Sequence, residues 1–417
     1  HAFEELADTA ITARYYARTG ARHLAAERRR GAVPGLTRTT VHHRPLGVVG
    51  IISPWNYPLT LAASDAVAAL MAGNAVVLKP DSATPFTALA VHSLLRRAGA
   101  DPDLLQVVTG PGAALGESLI DAVDALMFTG SSATGSAVAS RAGARLIPVS
   151  AELGGKNPLI VRADAPVART VRGAVGACFS NAGQLCVSIE RVYVHEAVWD
   201  RFVPAFVRAT RALRVGAAMG WGADMGPLIS PEHLAKVAAH VSDAVAKGAT
   251  VLTGGRALPE LSPTAYAPTL LTGVTEDMDL HAAETFGPVA CLYRVSGDEE
   301  AVRLANASPY GLNASVWTAD RHAGAELAGR IRAGTVNVNE GYAAAWGSTA
   351  APMGGMGASG LGRRHGVEGI VKYTQSQTVA VQHLAPLHAP PGADGERWAS
   401  GMAAWLRLAR HLPRLDR

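Results

Sequence analysis

Between residues 46 and 161 the chain alternates short, continuously apolar runs with longer helical patterns. The apolar runs, which are rich in valine, isoleucine and leucine, span residues 47–52, 75–78, 105–108 and 125–128. Alanine- and leucine-rich stretches such as 59–71 and 84–98 separate them. Apolar strands separated by helices are typical of a parallel sheet that is covered on both faces. The pattern therefore predicts a doubly wound α/β layout of the dinucleotide-binding type, with its ligand at the carboxyl ends of the strands.

Three of those runs are followed directly by residues suited to ligand binding, namely Asn56, Lys79 and Gly130. Gly130 also opens the stretch Gly130-Ser131-Ser132-Ala133-Thr134-Gly135, which begins a predicted helix. The backbone N–H groups at a helix start suit a pyrophosphate. The stretch departs from the usual G-x-G-x-x-G spacing, so taken alone it fits an ordinary helix N-cap equally well.

A second α/β pattern runs from residue 156 to residue 370 and includes strands at 191–194 and 334–339. Two outlying pieces, 37–44 and 371–382, have the polar character of exposed or intersubunit strands. The sequence therefore predicts an α/β protein with a doubly wound parallel-sheet dinucleotide-binding domain, an α/β catalytic domain and a small β oligomerisation element. The expected boundaries are 1–29 with 46–153 for the first, 154–370 for the second and 30–45 with 371–383 for the third, before a basic C-terminal tail at 384–417. We expect that tail either to be solvated or to form a partner-binding helix.

The composition excludes several classes of protein. A net charge of +4 over 417 residues, without clustered basic stripes, argues against a nucleic-acid partner. No run approaches the roughly 18 apolar residues of a membrane span, and no signal peptide opens the chain, so we expect a cytoplasmic protein. The three cysteines have no metal-type spacing and fit a reducing compartment. The chain starts at His1 inside a helical pattern, and we expect it to be cut short.

Cys186 is the strongest candidate for chemistry. It ends the stretch Asn181-Ala182-Gly183-Gln184-Leu185-Cys186, in which small and polar residues precede the thiol. A cysteine nucleophile needs a route to the thiolate and a base to process what it attacks. Glu152, which follows a strand-like run at 146–149, offers a carboxylate, and Asn56 offers an amide donor for an oxyanion. A buried structural cysteine is the alternative, and the other two cysteines fit it better.

Three stretches together resemble the aldehyde dehydrogenase superfamily: Glu152-Leu153-Gly154-Gly155-Lys156, Gly183-Gln184-Leu185-Cys186 and Glu284-Thr285-Phe286-Gly287-Pro288. The resemblance extends over residues 3–382. Within the superfamily, residues 79–82 and 184–191 are most similar to a bacterial group named succinate-semialdehyde dehydrogenases. The resemblance implies NAD(P)-dependent oxidation of a small-molecule aldehyde to the carboxylic acid, through a cysteine thiohemiacetal and thioester. It also implies a homodimer or homotetramer.

The resemblance gives each candidate residue a role. Cys186 is the expected nucleophile, Glu152 the base that activates the hydrolytic water, and Asn56 the oxyanion donor beside the Cys186 backbone N–H. The residues expected to contact the cofactor are Trp55, Asn56, Lys79, Asp81, Ser82, Gly130, Ser131, Gly135, Leu153, Glu284 and Phe286. No metal is expected.

Ser82 bears on the choice between NADP and NAD. NAD-preferring relatives resemble one another in carrying glutamate at this place, where it binds the ribose hydroxyls. A carboxylate repels a 2′-phosphate, whereas the Ser82 hydroxyl can donate to it and Lys79 adds positive charge. We therefore expect NADP, with NAD as the alternative because Asp81 could turn inward and restore an acidic contact.

Two departures from the family pattern leave the substrate and the extent of the chain open. Relatives usually carry roughly a hundred further residues, about one small domain, before the helix that opens this chain. Well-studied succinate-semialdehyde enzymes also share two arginines, and the corresponding places here hold Ser180 and Ala66. Succinate semialdehyde is therefore only the candidate that the most similar group suggests.

Three other interpretations stay open. A relative that passes the acyl group to coenzyme A is disfavoured by Glu152, because acyl transfer does not need a water-activating base. A truncated, inactive chain would retain only cofactor binding or oligomerisation. A thiol hydrolase without a cofactor would leave Lys79 and the Gly130 stretch without a role.

Overall fold

The computed structural model describes residues 2–31, 37–383 and 388–409. The strands in these ranges are β1 (Glu27–Arg29), β2 (Thr37–Pro45), β3 (Val48–Ser53), β4 (Ala75–Pro80), β5 (Leu105–Val107), β6 (Ala125–Thr129), β7 (Val149–Glu152), β8 (Asn157–Val161), β9 (Ile189–His195), β10 (Thr250–Thr253), β11 (Thr269–Thr272), β12 (Val289–Val295), β13 (Asn313–Trp317), β14 (Thr335–Val338), β15 (Gly360–Leu361) and β16 (Thr374–Gln382). The helices are α1 (Ala2–His23), α2 (Thr60–Met71), α3 (Pro85–Arg97), α4 (Gly112–Ala122), α5 (Ser132–Ala144), α6 (Val167–Phe179), α7 (Glu196–Arg211), α8 (Pro231–Ala246), α9 (Asp279–Ala282), α10 (Asp298–Asn306), α11 (Arg321–Ala328), α12 (Ala343–Trp346), α13 (Glu368–Val371) and α14 (Gly395–Ala409).

A six-stranded sheet confirms the layout predicted from the alternating apolar runs. Its strand order is β15-β7-β6-β3-β4-β5, and every neighbouring pair is parallel except β15 with β7. Val49 and Ile51 of β3 pack with alanines of α2 and α3. Val48 and Ile52 pack on the opposite side, with residues of α4 and α5. The strands are apolar throughout because helices cover both faces of the sheet.

The order of this sheet places a crevice beside β3. The chain moves outward from β3 through β4 to β5, then returns to add β6 on the other side of β3. Crevices at such reversal points, at the carboxyl ends of the strands, are where open α/β sheets bind ligands. The turn after β3 carries Trp55 and Asn56, and the turn after β6 carries Gly130 and Ser131.

A second, seven-stranded sheet has the order β10-β11-β12-β9-β8-β13-β14, with β10 antiparallel to β11 and the rest parallel. It contains the predicted strands at 191–194 and 334–339. The two sheets are linked directly, because β7 ends at Glu152 and β8 begins at Asn157. The glycine-containing stretch between them therefore crosses from one sheet to the other.

Glu152 lies at the end of a strand rather than beyond one. The run at 146–149 was expected to be strand-like, but β7 begins only at Val149. Leu146 adopts a left-handed backbone, with φ 59°, in the turn after α5. The strand therefore extends to Glu152 and fixes that residue through pairing with β6 on one side and β15 on the other.

A three-stranded sheet joins distant parts of the chain. Strands β2 and β16 pair antiparallel over nine residues, from Thr37 with Gln382 to Pro45 with Thr374, and β1 lies on the other side of β2. The predicted β character of 371–382 is confirmed only from Thr374 onward. Val371 instead ends α13, and the Tyr373 side chain is buried against α2.

In the tail, α14 forms a helix whose described residues are mostly exposed. Residues 384–387 and 410–417 of the predicted tail lie outside the described ranges. Among the helices that the structure describes, none combines the length and apolarity needed to cross a membrane.

Candidate active site

A pocket of about 210 Å³ lies where the carboxyl ends of β3 and β6 meet the crossing between the sheets. It brings together the predicted thiol, carboxyl and side-chain amide with six further predicted cofactor contacts. The predicted residues that line it are Trp55, Asn56, Gly130, Ser131, Glu152, Leu153, Cys186, Glu284 and Phe286.

The segment before Cys186 has an unusual backbone. Asn181 and Ala182 both adopt left-handed angles, with φ of 51° and 56°, and Gly183 follows with φ 70°. A left-handed backbone is strained for residues that carry a Cβ, and such strain concentrates at functional sites. A Cβ on Gly183 would lie 2.0 Å from the Gly287 carbonyl oxygen, so only glycine fits there. The turn delivers a half-buried Cys186 to the pocket.

The Asn56 amide lies against the backbone that leads into Cys186. Its Nδ2 donates to the Gln184 carbonyl at 3.1 Å, and the Asn56 carbonyl accepts from Asn181 Nδ2 at 3.1 Å. Asn157 Nδ2 donates to the Cys186 carbonyl at 2.8 Å. Side-chain amides therefore tie the turn after β3 to the segment that carries the thiol. This arrangement holds an amide N–H₂ donor close to Cys186.

The environment of Cys186 keeps its thiol protonated. Burial raises the pKa of the Cys186 thiol to about 12, and the nearby Glu152 and Glu284 carboxylates act in the same direction. Burial in a low-dielectric site and neighbouring negative charge both disfavour a thiolate. Because the thiolate is the reactive form of cysteine, chemistry at Cys186 requires a base that can take the proton.

Glu152 has the properties of such a base. It is 4% exposed, and burial raises its pKa to about 7 against the opposing influence of the Arg364 and Lys372 charges. Its Oε1 has no hydrogen-bond partner among the residues that the structure describes. A carboxyl group whose pKa lies near the working pH can both accept and release a proton.

Buried Glu190 holds the 284–286 loop in the pocket. Its carboxylate accepts backbone N–H groups of that loop, including the Phe286 N–H at 2.9 Å. These bonds support Phe286 in a left-handed conformation, with φ 57°. The Glu284 carboxylate in turn accepts the Gly155 N–H at 2.8 Å. Burial raises the pKa of Glu284 to about 7 as well.

Three residues predicted to contact the ribose end of the cofactor lie outside this pocket, around the end of β4. Lys79 is buried, and its Nζ donates to the carbonyl of the next residue at 3.1 Å. Ser82 Oγ donates to the Gly110 carbonyl at 3.0 Å. Asp81 Oδ1 accepts the Ala83 N–H at 2.9 Å, so this carboxylate is engaged in its own turn.

The start of α5 suits the phosphates of a dinucleotide. Ser131 caps this helix, with its Oγ accepting the Thr134 N–H at 3.3 Å, and other N–H groups of the first turn lack helical partners. Gly135 lies outside the pocket but shapes it, because a Cβ there would come within 2.3 Å of Leu153 Cδ2. A Cβ on Gly154 would likewise come within 2.4 Å of a Glu284 oxygen. The residues present therefore fit a bound dinucleotide.

Two residues of α8 line the pocket although the sequence did not single them out. His233 Nε2 lies 2.7 Å from the Phe286 carbonyl oxygen, and its ring meets the Trp55 ring edge-on with centroids 5.8 Å apart. Lys236 Nζ donates to the Glu284 carbonyl at 3.0 Å. Their three-residue spacing places both on one face of a helix. That spacing was the available signal, and it is too common to identify a site.

A second cavity, of about 230 Å³, adjoins the nucleophile segment. Tyr57 and Leu185, the chain neighbours of Asn56 and Cys186, line it, and Cys186 packs against the same apolar cluster. Among the residues that the structure describes, its lining contains three carboxylates, three aromatic side chains and no lysine or arginine. The other lining residues are Glu4, Glu5, Ala7, Asp8, Ile11, Thr60, Tyr342, Ala343, Trp346 and Gly347.

A doubly wound nucleotide-binding sheet, a second α/β sheet and a thiol–carboxyl pocket between them define an NAD(P)-dependent aldehyde oxidoreductase. The aldehyde dehydrogenase family model matches residues 1–379. The chain belongs to the aldehyde dehydrogenase family.

Several known proteins are similar to this chain. A Mycolicibacterium smegmatis protein, provisionally named succinate-semialdehyde dehydrogenase (NADP(+)), is 52% identical over 410 residues, which cover 98% of this chain and 79% of the relative. The crystal structure of succinate-semialdehyde dehydrogenase from Burkholderia pseudomallei is 37% identical, with a TM-score of 0.86 over 91% of this chain and 78% of that chain. Betaine aldehyde dehydrogenase from Staphylococcus aureus, solved with NAD+, is 30% identical, with a TM-score of 0.88 over 92% of this chain and 78% of that one.

Proposed function

We propose that this chain oxidises an aldehyde to the carboxylic acid with NADP, through Cys186 as nucleophile, Glu152 as base and Asn56 as oxyanion donor. The observation that carries the proposal is the meeting of these three side chains in one pocket. There, a thiol that burial keeps protonated lies near a carboxyl group whose pKa is about 7.

The first step forms a carbon–sulfur bond. Glu152 takes the thiol proton as the Cys186 sulfur adds to the aldehyde carbon, and the carbonyl oxygen becomes an oxyanion. The Asn56 side-chain amide and the Cys186 backbone N–H are the donors for this oxyanion. One such donor typically lowers the barrier by about 3 kcal/mol.

The second half of the reaction releases the acid. A bound dinucleotide would accept the hydride that leaves the tetrahedral carbon, and a thioester would remain on Cys186. Glu152 first releases the thiol proton to solvent and then takes a proton from water as the water oxygen adds to the thioester carbon. Collapse of that intermediate expels the Cys186 thiolate, which takes up a proton to restore the thiol. The Glu152 oxygen without a described partner is suited to receive that proton.

The proposed cofactor site uses both ends of the crevice. Trp55, Leu153, Glu284 and Phe286 are proposed to contact the nicotinamide end, and the start of α5 the pyrophosphate. The Ser82 hydroxyl, turned away from the Gly110 carbonyl, and Lys79 at the end of β4 are proposed to bind a 2′-phosphate. This choice of NADP is supported by the Asp81 carboxylate being engaged in its own turn and by the NADP(+) in the name of the 52% identical relative.

Succinate semialdehyde is the first substrate that we propose, because two of the similar proteins carry it in their names. The aldehyde is proposed to reach Cys186 from the second cavity, on the side away from the cofactor pocket. Ser180 and Ala66, the places compared with family arginines, do not line that cavity, and Ala66 is buried in the core of the first sheet.

An aldehyde with a positively charged end group is the second candidate, favoured by the charge of the second cavity. Glu4, Glu5 and Asp8 give its lining three carboxylates, whereas a substrate carboxylate would meet no lysine or arginine among the described lining residues. Tyr342 and Trp346 add aromatic surface of the kind that binds ammonium groups. Betaine aldehyde, in the name of a 30% identical relative, is a quaternary ammonium compound.

The proposed reaction is tested by mixing the protein with NADP or NAD and an aldehyde, with and without coenzyme A. We expect absorbance of the reduced nicotinamide to rise and the free carboxylic acid to form in equal amount. Formation of acyl-coenzyme A in place of the acid would favour the acyl-transferring alternative. Hydrolytic turnover without nicotinamide reduction would favour the cofactor-free one.

We further propose a homodimer or homotetramer in the cytoplasm. The β16 edge of the three-stranded sheet is exposed, and exposed edges can pair with a second copy. The three cysteines are free thiols, as suits a reducing compartment. Sedimentation equilibrium tests the assembly, and a monomer over the whole concentration range would contradict it.

A further inference from the structure

Four ionisable side chains are grouped beneath the active-site pocket, and three of them have no part in the proposed chemistry. Glu152 at the end of β7 is the proposed base. The others are Asp65 on α2, and Arg364 and Lys372 from the segment that leads to β16. Asp65, Glu152 and Arg364 are buried, and Lys372 is largely buried.

Asp65 is the centre of the group. Arg364 Nη2 lies 2.6 Å from Asp65 Oδ2, and Lys372 Nζ lies 3.4 Å from Oδ1. The Tyr373 hydroxyl donates to Oδ1 at 3.1 Å. Among these ion-paired groups two charges are positive and one is negative, so one positive charge is left over. Asp8 is a further buried carboxyl that Arg364 influences, and burial raises its pKa and so disfavours its ionised form.

The leftover charge lies beside the strand that carries the base. Arg364 Nη2 donates to Thr129 Oγ1 at 3.0 Å, and Thr129 pairs with Glu152 across β6 and β7. Lys372 Nζ donates to Ser150 Oγ at 3.3 Å, two residues before Glu152 on the same strand. Both cations form their ion pairs with Asp65, so the Glu152 carboxylate is not fixed by a bidentate partner.

We propose that Asp65, Arg364 and Lys372 form a positioning unit that presents one net positive charge to Glu152 without binding its carboxylate. Ionised Glu152 makes the buried group of four neutral, whereas protonated Glu152 leaves it with a net charge of +1. The carboxylate is thereby stabilised as a base while it stays able to approach the thiol and the water. This inference rests on the proposed role of Glu152.

The electrostatic influences on Glu152 agree in sign with this arrangement. Arg364 and Lys372 lower the pKa of Glu152, and Asp65 raises it. Two further charged or titratable groups lie near Glu152, namely Arg363, which also lowers its pKa, and the Cys186 thiol. Arg363 is half-buried, and its guanidinium donates to the Gly355 and Gly362 carbonyls rather than to a carboxylate of the group.

A purely structural ion pair between α2 and the segment before β16 is the alternative, and the sign of the response separates the two. Removing the Lys372 charge should make Glu152 harder to ionise, whereas removing the Asp65 charge should make it easier. A structural role predicts loss of stability in both variants and no opposite shifts. Lys372→Met, Asp65→Asn and the charge-preserving Lys372→Arg form the test set.

The measurement is the rate of acyl-enzyme hydrolysis against pH, by rapid quench and intact mass. We expect the acid limb of the profile to move up by about one pH unit in Lys372→Met, because one nearby opposite charge shifts a carboxyl by that order. It should move down in Asp65→Asn and stay in place in Lys372→Arg. Limbs that do not move, or that move in the same direction in both charge-removing variants, would overturn the proposal.

A second measurement covers the case in which Asp65→Asn does not fold. The infrared carboxyl band of Glu152, identified by its loss in Glu152→Gln, is titrated in the unmodified protein and in Lys372→Met. Its midpoint should be higher in Lys372→Met, and equal midpoints would refute the unit. If no acyl-enzyme forms in the unmodified protein at any pH, the proposed function itself fails. If the acyl-enzyme turns over normally and the acid limbs of the variants' pH profiles do not shift, only the proposal of the positioning unit is refuted.

Discussion

Lys156 and Glu190 form a buried ion pair, with Nζ and Oε2 2.5 Å apart. Lys156 ends the stretch that begins at Glu152, and Glu190 follows the nucleophile segment into β9. The same Glu190 carboxylate accepts the backbone of the 284–286 loop. The segments that carry the proposed base, the proposed nucleophile and the proposed nicotinamide contacts are therefore joined by one cross-link.

Lys156→Met should destabilise the protein and weaken cofactor binding together. It leaves the Glu190 carboxylate buried without its counter-charge, and breaking one side of a buried pair costs about 3–5 kcal/mol. We expect a clear drop in Tm and a higher Kd for NADP by titration. Arg214→Ala, which removes an exposed ion pair with Asp224, is the control and should leave Tm nearly unchanged. Equal effects of the two variants would show that the buried pair has no special role.

Cys186→Ala should abolish dehydrogenase turnover, because no other thiol lines the pocket. Nicotinamide reduction in steady state is the measurement. Cys178→Ala is the matched control, since Cys178 is fully buried in the hydrophobic core away from the pocket. That variant should keep its turnover with some loss of stability. Full activity in Cys186→Ala would remove the nucleophile assignment.

Glu152→Gln should slow both steps that need a base, because glutamine can take a proton neither from the Cys186 thiol nor from water. Thioester that does form should not be hydrolysed, and intact mass should show it as an acyl adduct that accumulates on the protein. In the unmodified protein, hydrolysis needs the ionised carboxylate, whose pKa is about 7. The rate should therefore be highest above that pH and fall about tenfold for each pH unit below it. A rate that is flat from about pH 5 to about pH 9 would exclude Glu152 as the base.

Ser82→Glu should shift the cofactor preference from NADP towards NAD. The new carboxylate would repel a 2′-phosphate and could accept from the ribose hydroxyls. The measurement is the ratio of kcat/KM for NADP to that for NAD. Ser93→Glu adds the same charge at an exposed position of α3 and should leave the ratio as it was. A ratio that does not respond to Ser82→Glu would contradict the proposed place of the 2′-phosphate.

We expect kcat/KM to depend on the charge of the aldehyde's end group, because that group is proposed to lie in the acidic second cavity. The panel consists of succinate semialdehyde, butanal and 4-(trimethylammonio)butanal, which differ at the terminal group. In Asp8→Asn and Glu5→Gln, kcat/KM should rise for the anionic aldehyde relative to the cationic one. Glutamine at position 5 can still accept the Leu59 and Thr60 N–H groups, so α2 keeps its anchor.

Glu276→Gln, an exposed change outside both cavities, should leave the order of the three aldehydes unchanged. If the unmodified protein prefers succinate semialdehyde and the cavity variants do not alter that preference, the cationic candidate is excluded. The oxidation reaction itself would stand in that case.

Local sequence patterns were sufficient to predict the two α/β sheets. Runs that are apolar throughout specify strands buried on both faces, and the residues after β3, β4 and β6 lie at strand ends as expected. The prediction that residues 371–373 belong to a strand was wrong, and it was made because their composition is typical of strands. The buried Tyr373 side chain instead donates a hydrogen bond to the Asp65 carboxylate, which lies on a helix far away in the sequence. Burial against a distant partner overrides local propensity here.

The parts of the site that the sequence could not reveal depend on tertiary contact. His233 and Lys236 enter the pocket because α8 packs beside the 284–286 loop. Arg364 meets Asp65 only through the fold, since the two are distant in the chain. Motifs identified the groups proposed to react, whereas their surroundings depend on packing between separate elements.

No residue that the structure describes lines both cavities. One is bounded by the turns of the six-stranded sheet and by α8, the other by α1 and the 342–347 segment. Mutations that broaden the range of aldehydes can therefore accumulate on α1 without altering dinucleotide selectivity. Descendants of one ancestral sequence could diversify their metabolic roles while they keep the same nicotinamide cofactor.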